Sequence, residues 1–213
     1  MYVGRQQNQT SVRPMAFKPA CNGRTCMPER SDQRLMLDFA AGDAGAFDLL
    51  YERYRGPLYR FILRQLKNPV ESNDIYQLVW EKAIKSRTSY HRKFPFPAWL
   101  FRIARNTVID HFRRNSSYTD TEFIDMESNQ AGPETAAIHE QDEMSLAEAI
   151  AALPAEQREV VLLRLEGGLD LGEIASITGA NQETCKSRLR YALAKLKSQL
   201  QTSDPDAGAE NEA

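Results

Sequence analysis

From residue 31 the apolar positions recur at three- and four-residue intervals, the spacing of helices that bury one face. Ser31 is placed to cap a first helix, which Gly42 ends. Asp43 is placed to cap a second, carrying Phe47, Leu50, Tyr51, Tyr54, Leu58, Phe61 and Ile62. Within it Gly56-Pro57 predicts a bend or interruption, because proline contributes no N–H to the helical ladder. A third helix begins near Val70 and carries Ile75, Leu78, Val79 and Ala83. A fourth begins near Phe96 and carries Trp99, Leu100, Ile103, Ala104, Val108 and Phe112.

A second helical block covers 143–200. Pro154 suits the first position of a helix that Gly167-Gly168 stops. Asp170 and Glu173 have capping-box spacing for a short helix, Leu171 to Ile177. Gly179 can take the left-handed turn that follows, and Asn181 can cap a long final helix. On that helix Cys185, Leu189, Leu193, Leu196 and Leu200 form an apolar stripe. No strand pattern of any length and no internal repeat is present, so the expected fold is all-α: two small helical modules, the second a helix-turn-helix.

Between and around these blocks the composition changes. Residues 1–30 are polar, with prolines and little periodicity, and read as a flexible extension. No Lys or Arg occurs from Asn115 to Gln157, while Asp120, Glu122, Asp125, Glu127, Glu134, Glu140 and Asp142 make 115–142 an acidic linker, broken at Gly132-Pro133. Residues 201–213 read as a disordered acidic tail.

The average charge hides this segregation. The formal net charge is −2, which by itself does not announce a nucleic-acid binder. Hydrophobic residues are 42% of the chain, enough for a packed core. No apolar run reaches the length of a membrane span and no secretory signal is present, so a soluble, cytoplasmic protein is expected. Cys21 and Cys26 have no matched second pair, and His91 and His111 lack metal-ligand spacing with other ligands; no metal or cofactor is expected.

The final helix carries the clearest chemistry. Opposite its apolar stripe stand Gln182, Glu183, Lys186, Ser187, Arg190 and Tyr191, an arrangement that can offer cations and hydrogen-bond donors to the DNA major groove. Lys186 and Arg190 suit guanine edges or phosphates; Arg188 and Lys195 suit phosphates. An ordinary solvated helix face carries similar residues, and Cys185 reads as a small core residue. A second cluster, Tyr90, His91, Arg92, Lys93, Phe94 and Phe96, combines aromatic rings with cations, and the following helix adds Arg102, Arg105, Asn106 and Arg113. Such a surface can replace lost base stacking and hold the phosphates of a single strand. Trp80 and Trp99 lie on helix-patterned faces and read as core.

The segment from Leu153-Pro-Ala-Glu-Gln-Arg-Glu-Val-Val-Leu-Leu-Arg-Leu through Gly-Glu-Ile-Ala to Glu-Thr-Cys-Lys-Ser-Arg-Leu closely resembles the fourth conserved region of extracytoplasmic-function (ECF) sigma factors. Ala41-Gly-Asp-Ala-Gly-Ala-Phe47, Asp74-Ile-Tyr-Gln77, Phe96-Pro-Ala-Trp-Leu-Phe-Arg-Ile-Ala-Arg-Asn106 and Asp110-His-Phe-Arg-Arg114 resemble the second region. The resemblance implies that residues 31–114 bind the clamp of the largest RNA polymerase subunit through Asp74 and Gln77. It also implies that they read the promoter −10 element, with a pocket for a flipped base at Asn106 and Phe94. Residues 143–200 would read the −35 element and contact a flap on the second-largest subunit. Tyr191 stands where the family often has Arg, and Leu78 where it often has an acidic residue. The resemblance further implies an anti-sigma factor that clamps both modules, a regulon responding to stress, and a linker that threads the polymerase's basic path as a nucleic-acid mimic. The plain alternative is a linker kept extended by its charge.

Two other readings compete with promoter recognition. A sigma-like decoy would bind an anti-sigma factor without DNA, and a stand-alone helix-turn-helix regulator would bind DNA without polymerase. The basic aromatic loop argues against the first, and Asp74 to Gln77 against the second. An enzyme is not expected, since no nucleotide loop, metal cluster or nucleophile–base motif is present.

Overall fold

The computed structural model of the chain describes residues 30–116 and 146–202. The extension with Cys21 and Cys26, most of the acidic linker and the tail lie outside the described residues, as do the expectations made for them. Among the described residues the secondary structure is entirely helical. In the N-terminal group these are α1 (Asp32–Ala40), α2 (Ala44–Leu66), α3 (Pro69–Lys85), a 3-10 turn (Arg87–Ser89) and α4 (Phe96–Ser116). The C-terminal group has a short helix α5 over 146–151, then α6 (Ala155–Leu165), α7 (Leu171–Thr178) and α8 (Gln182–Thr202).

The boundaries follow local chemistry. Ser31 Oγ accepts from the Arg34 N–H, and Asp43 Oδ1 accepts from the Ala46 N–H. Gly42 at φ +108° makes the reversal between these two helices. Asn68 Oδ1 accepts from the Val70 N–H at 3.0 Å and starts α3, with Pro69 in its first turn. Three sequence expectations need correction. Gly56-Pro57 does not interrupt α2, which runs unbroken through Pro57; Leu58, Phe61 and Ile62, all fully buried just beyond it, hold the continuing turn against the core. Pro154 is the cap of α6 and not its first residue, because its backbone is extended. Phe112 ends up exposed, on the outward face of α4.

The N-terminal core forms where α1 and α3 flank α2 and α4 closes the group. Leu35, Met36, Leu50, Leu58, Phe61, Val79, Leu100 and Phe101 fill it, with Phe61 and Phe101 edge to face at 5.3 Å. Trp80 is buried against Phe47 and Tyr51, as a core residue. In the C-terminal group Ile150, Leu153, Leu162, Leu163, Leu169, Ile174, Cys185 and Ala192 form the centre. The two groups pack on each other, α2 against α6 and α4 against α7.

Candidate nucleic-acid and polymerase interface

The loop between the 3-10 turn and α4 is built from the inside. Tyr90 is buried with its ring edge to face against Phe96 and Trp99, and its hydroxyl donates to the Phe94 carbonyl at 2.7 Å. Burial and the nearby Asp32 carboxylate push this hydroxyl's pKa up to about 12. Phe94, one bond from that anchored carbonyl, is 50% exposed. Phe96 is only 2% exposed, between Tyr54, Tyr90 and Trp99. This corrects the sequence expectation: the Phe96 ring has no free face for a base, and it serves as the floor of the loop. Beneath it, Asp32 accepts from Arg53 and from the Tyr54 hydroxyl, each at 2.5 Å; burial and that bond raise the Tyr54 pKa.

Along α4, Arg102, Asn106 and Arg113 are exposed and Arg105 is half-buried. Arg102 and Asn106 are four residues apart, on one face of the helix. Arg113 pairs with Asp110 at 3.0 Å. His111 pairs with Glu71 at 3.0 Å, which ties α4 to α3 and gives this histidine a surface structural role. On α3, Asp74 and Gln77 are exposed while Ile75 and Val79 point into the core, so the helix offers one polar face outward.

The C-terminal group forms the expected helix-turn-helix. Asp170 and Glu173 make a complete capping box, with both bonds at 2.8 Å. Gly179 sits at φ +75°, and Asn181 Oδ1 accepts from the Thr184 N–H at 2.7 Å to start α8. Cys185 is fully buried, 3.7 Å from Thr178 Oγ1 across the turn. The buried stripe of α8 differs from the expected one. Ala192 is fully buried while Leu193 is 53% exposed, so the core side runs Cys185, Ala192, Leu196; steps of seven and four follow the true 3.6-residue turn more closely than a row of leucines does.

The polar face of α8 divides. Gln182, Glu183, Lys186, Arg190 and Tyr191 are exposed and Ser187 is partly so. Arg190 lies over the Tyr191 ring at 5.0 Å. Arg188 instead turns back to pair with Glu156 on α6, and Lys195 donates to the Ala152 carbonyl at 3.0 Å. These are the two cations that the sequence assigns to phosphates, and in this arrangement each also links α8 to the helices before it.

Sequence reasoning missed the contacts between the two groups. Glu166, at the C-terminal end of α6, is held by Arg60 at 2.9 Å and Arg64 at 2.5 Å from α2. Arg105 on α4 donates to Glu159 on α6 at 2.8 Å, and Arg102 donates to the Ser176 carbonyl on α7 at 2.7 Å. One signal was present: a glutamate at a helix C-terminus opposes the helix dipole, a local rule broken for a tertiary reason.

Among the described residues no cluster of His, Cys, Asp or Glu could hold a metal ion, and no helix is long and apolar enough to cross a membrane. The family model for sigma-70 region 2 matches residues 50–118, and that for sigma-70 region 4 matches 143–196. The chain is similar to the ECF RNA polymerase sigma factor BldN of Streptomyces coelicolor, at 29% identity over 82% of this chain and 69% of that protein. It is similar to the ECF RNA polymerase sigma factor SigL of Mycobacterium tuberculosis, at 31% identity over 76% of this chain and 93% of that protein. Among solved structures, the sigma factor RpoE of Bartonella quintana, in complex with the anti-sigma factor NepR, superimposes with a TM-score of 0.62 at 26% identity, over 74% of this chain and 98% of that one. With both regions in order and this relationship to SigL, the chain belongs to the ECF family of RNA polymerase sigma factors.

Proposed function

We propose that this protein works in the cytoplasm by binding core RNA polymerase and directing it to promoters, with no catalytic chemistry of its own. Asp74 and Gln77 dock on the clamp of the largest subunit. Phe94, Arg102, Arg105, Asn106 and Arg113 take the −10 strand, with Phe94 supplying the stacking face and Asn106 the pocket for an extruded base. Gln182, Glu183, Lys186, Ser187, Arg190 and Tyr191 enter the major groove at −35, and an anti-sigma factor holds the protein inactive until its signal arrives. The domain limits that go with this assignment are 31–114 and 143–200.

The observation that carries the reading is the pairing, in one chain, of an exposed polar face on α3 with a loop that anchors Phe94 from below and leaves it open. A stand-alone DNA-binding regulator needs neither. Run-off transcription on fragmented genomic DNA of the source organism, with core polymerase and with or without this protein, tests it. Start sites seen only with the protein support it. Stable binding to core without transcripts favours a decoy, and absence of core binding sinks the sigma reading for this chain.

A further inference from the structure

We infer that Tyr191 is a positioning residue: its ring holds the Arg190 guanidinium in the pose that reads a base, and it thereby sets the sequence preference at one position of the −35 element. The inference rests on the −35 reading above and deepens it. The Arg190 guanidinium carbon lies over the Tyr191 ring, 5.0 Å from its centroid, and one guanidinium nitrogen is 3.4 Å from the Tyr191 hydroxyl. Consecutive residues of a helix do not face each other, so the arginine stem folds along α8 to reach the ring. Three other cations of this helix are held by oxygen. Lys186 lies 3.7 Å from the Glu183 carboxylate, Arg188 pairs with Glu156, and Lys195 donates to the Ala152 carbonyl. Among the described residues no carboxylate pairs with Arg190; an aromatic face holds it instead.

The difference matters for reading a base. An arginine recognises guanine by aiming two N–H groups at O6 and N7. A carboxylate partner takes up the same fork with two parallel bonds. A ring attracts the cation through its face and does not occupy the fork, so Arg190 is ordered while its N–H edge stays open. The hydroxyl contact, at the long end of hydrogen-bond distances, does not close that edge. An exposed arginine otherwise samples many rotamers, and freezing them on DNA opposes binding. Tyr191, 57% exposed beside it, restricts those rotamers before DNA arrives. It enters the groove as the support of a reader and takes no base edge itself.

Holoenzyme assembled from core polymerase and the full-length variants tests this on a promoter mapped by run-off transcription, with each −35 base pair replaced in turn. Competition binding then gives an affinity ratio at every position, and circular dichroism of each variant checks that its helix content is kept. Arg190→Ala should relax one position. Tyr191→Leu should relax the same position by about two- to fivefold, the size of an exposed cation–ring contact, and leave the other positions as they are. Tyr191→Phe keeps the ring and should rescue the wild-type preference. The double variant Arg190→Ala/Tyr191→Leu should discriminate no less than Arg190→Ala alone. Equal losses in Tyr191→Phe and Tyr191→Leu would mean that the hydroxyl touches DNA itself, and would overturn the positioning role. Losses that add in the double variant, or a Tyr191→Leu loss shared by all sequences, would overturn it too while leaving Arg190 as a reader. If Arg190→Ala relaxes no position, the −35 assignment of Arg190 fails, and this inference with it.

Discussion

The Tyr90 hydroxyl donates to the Phe94 carbonyl at 2.7 Å, and through that bond a buried ring fixes the backbone of an exposed one. The two aromatic residues of the loop therefore have opposite tasks. Replacing Tyr90 with Phe keeps the packing on Phe96 and Trp99 and removes only the bond. We expect it to cost about 1 kcal/mol in urea unfolding and to weaken −10 strand capture by loosening the loop. Phe94→Ala should leave stability within about 0.5 kcal/mol and lose roughly 1–3 kcal/mol of single-strand binding. If Phe94→Ala destabilises the fold and leaves binding intact, Phe94 is a packing residue.

The difference between Phe94 and Phe96 also marks where the sequence stopped being legible. Both are aromatic residues beside prolines in one basic loop, and only the third dimension puts Phe96 beneath and Phe94 outside. Helix periodicity located α1 to α4 and α6 to α8, and all of these except α4 have a capping side chain or a glycine at an end. On α8 it gave Cys185 and Leu196 to the core, as the fold does, but chose Leu193 over Ala192, since a leucine looked more apolar than the alanine that the 3.6-residue turn actually buries. It allowed an interruption at Pro57 that does not occur, because local propensity carries no information on how firmly Leu58, Phe61 and Ile62 are held. Links such as Arg64 to Glu166 join residues with no shared local pattern, so no window could connect them.

The adjacent glycines at the end of α6 should respond differently to substitution. A Cβ on Gly167 would lie 2.7 Å from the Leu163 carbonyl oxygen and 3.0 Å from Leu169 Cγ, so the backbone must move. Gly168 has open space but sits at φ +63°. Gly167→Ala is expected to cost about 1–3 kcal/mol through overpacking, and Gly168→Ala about 1 kcal/mol through the left-handed backbone. Asn tolerates that backbone, so Gly168→Asn should recover part of the loss, whereas Gly167→Asn should not recover any. Urea midpoints of the four variants separate steric from conformational strain.

Alkaline titration should reveal the loop floor. Tyr90 has its pKa raised from 10.0 to about 12 in the fold, and that of Tyr54 is raised as well. A pKa higher in the folded state means that folding favours the protonated phenol. The stabilisation is complete below pH 10 and is lost as pH climbs from there through 12. Tyrosinate absorbance should show a late-titrating class whose appearance coincides with unfolding, and Tyr90→Phe should shrink it. A single early class would show that the ring floor is open to water.

The cations of α8 offer the sharpest separation of reading from bracing. Lys186 and Arg190 are exposed, whereas Arg188 pairs with Glu156. A base-reading arginine changes which sequence is preferred, while a phosphate contact changes affinity for all sequences alike and lowers the salt dependence of binding. Arg190→Ala should lose about 1–3 kcal/mol on the preferred −35 sequence and much less on a scrambled one. Lys186→Ala should do the same if it reads a base, or lower the salt slope by about one if it holds a phosphate. Arg188→Ala should leave the base preference and the salt slope unchanged and lower affinity only by loosening α8 against α6, a loss shared by Glu156→Gln. Because the two bracing variants remove opposite charges, an electrostatic role on DNA would move their affinities in opposite directions. Equal losses in both would place Arg188 in the scaffold, and opposite shifts would return it to the DNA face.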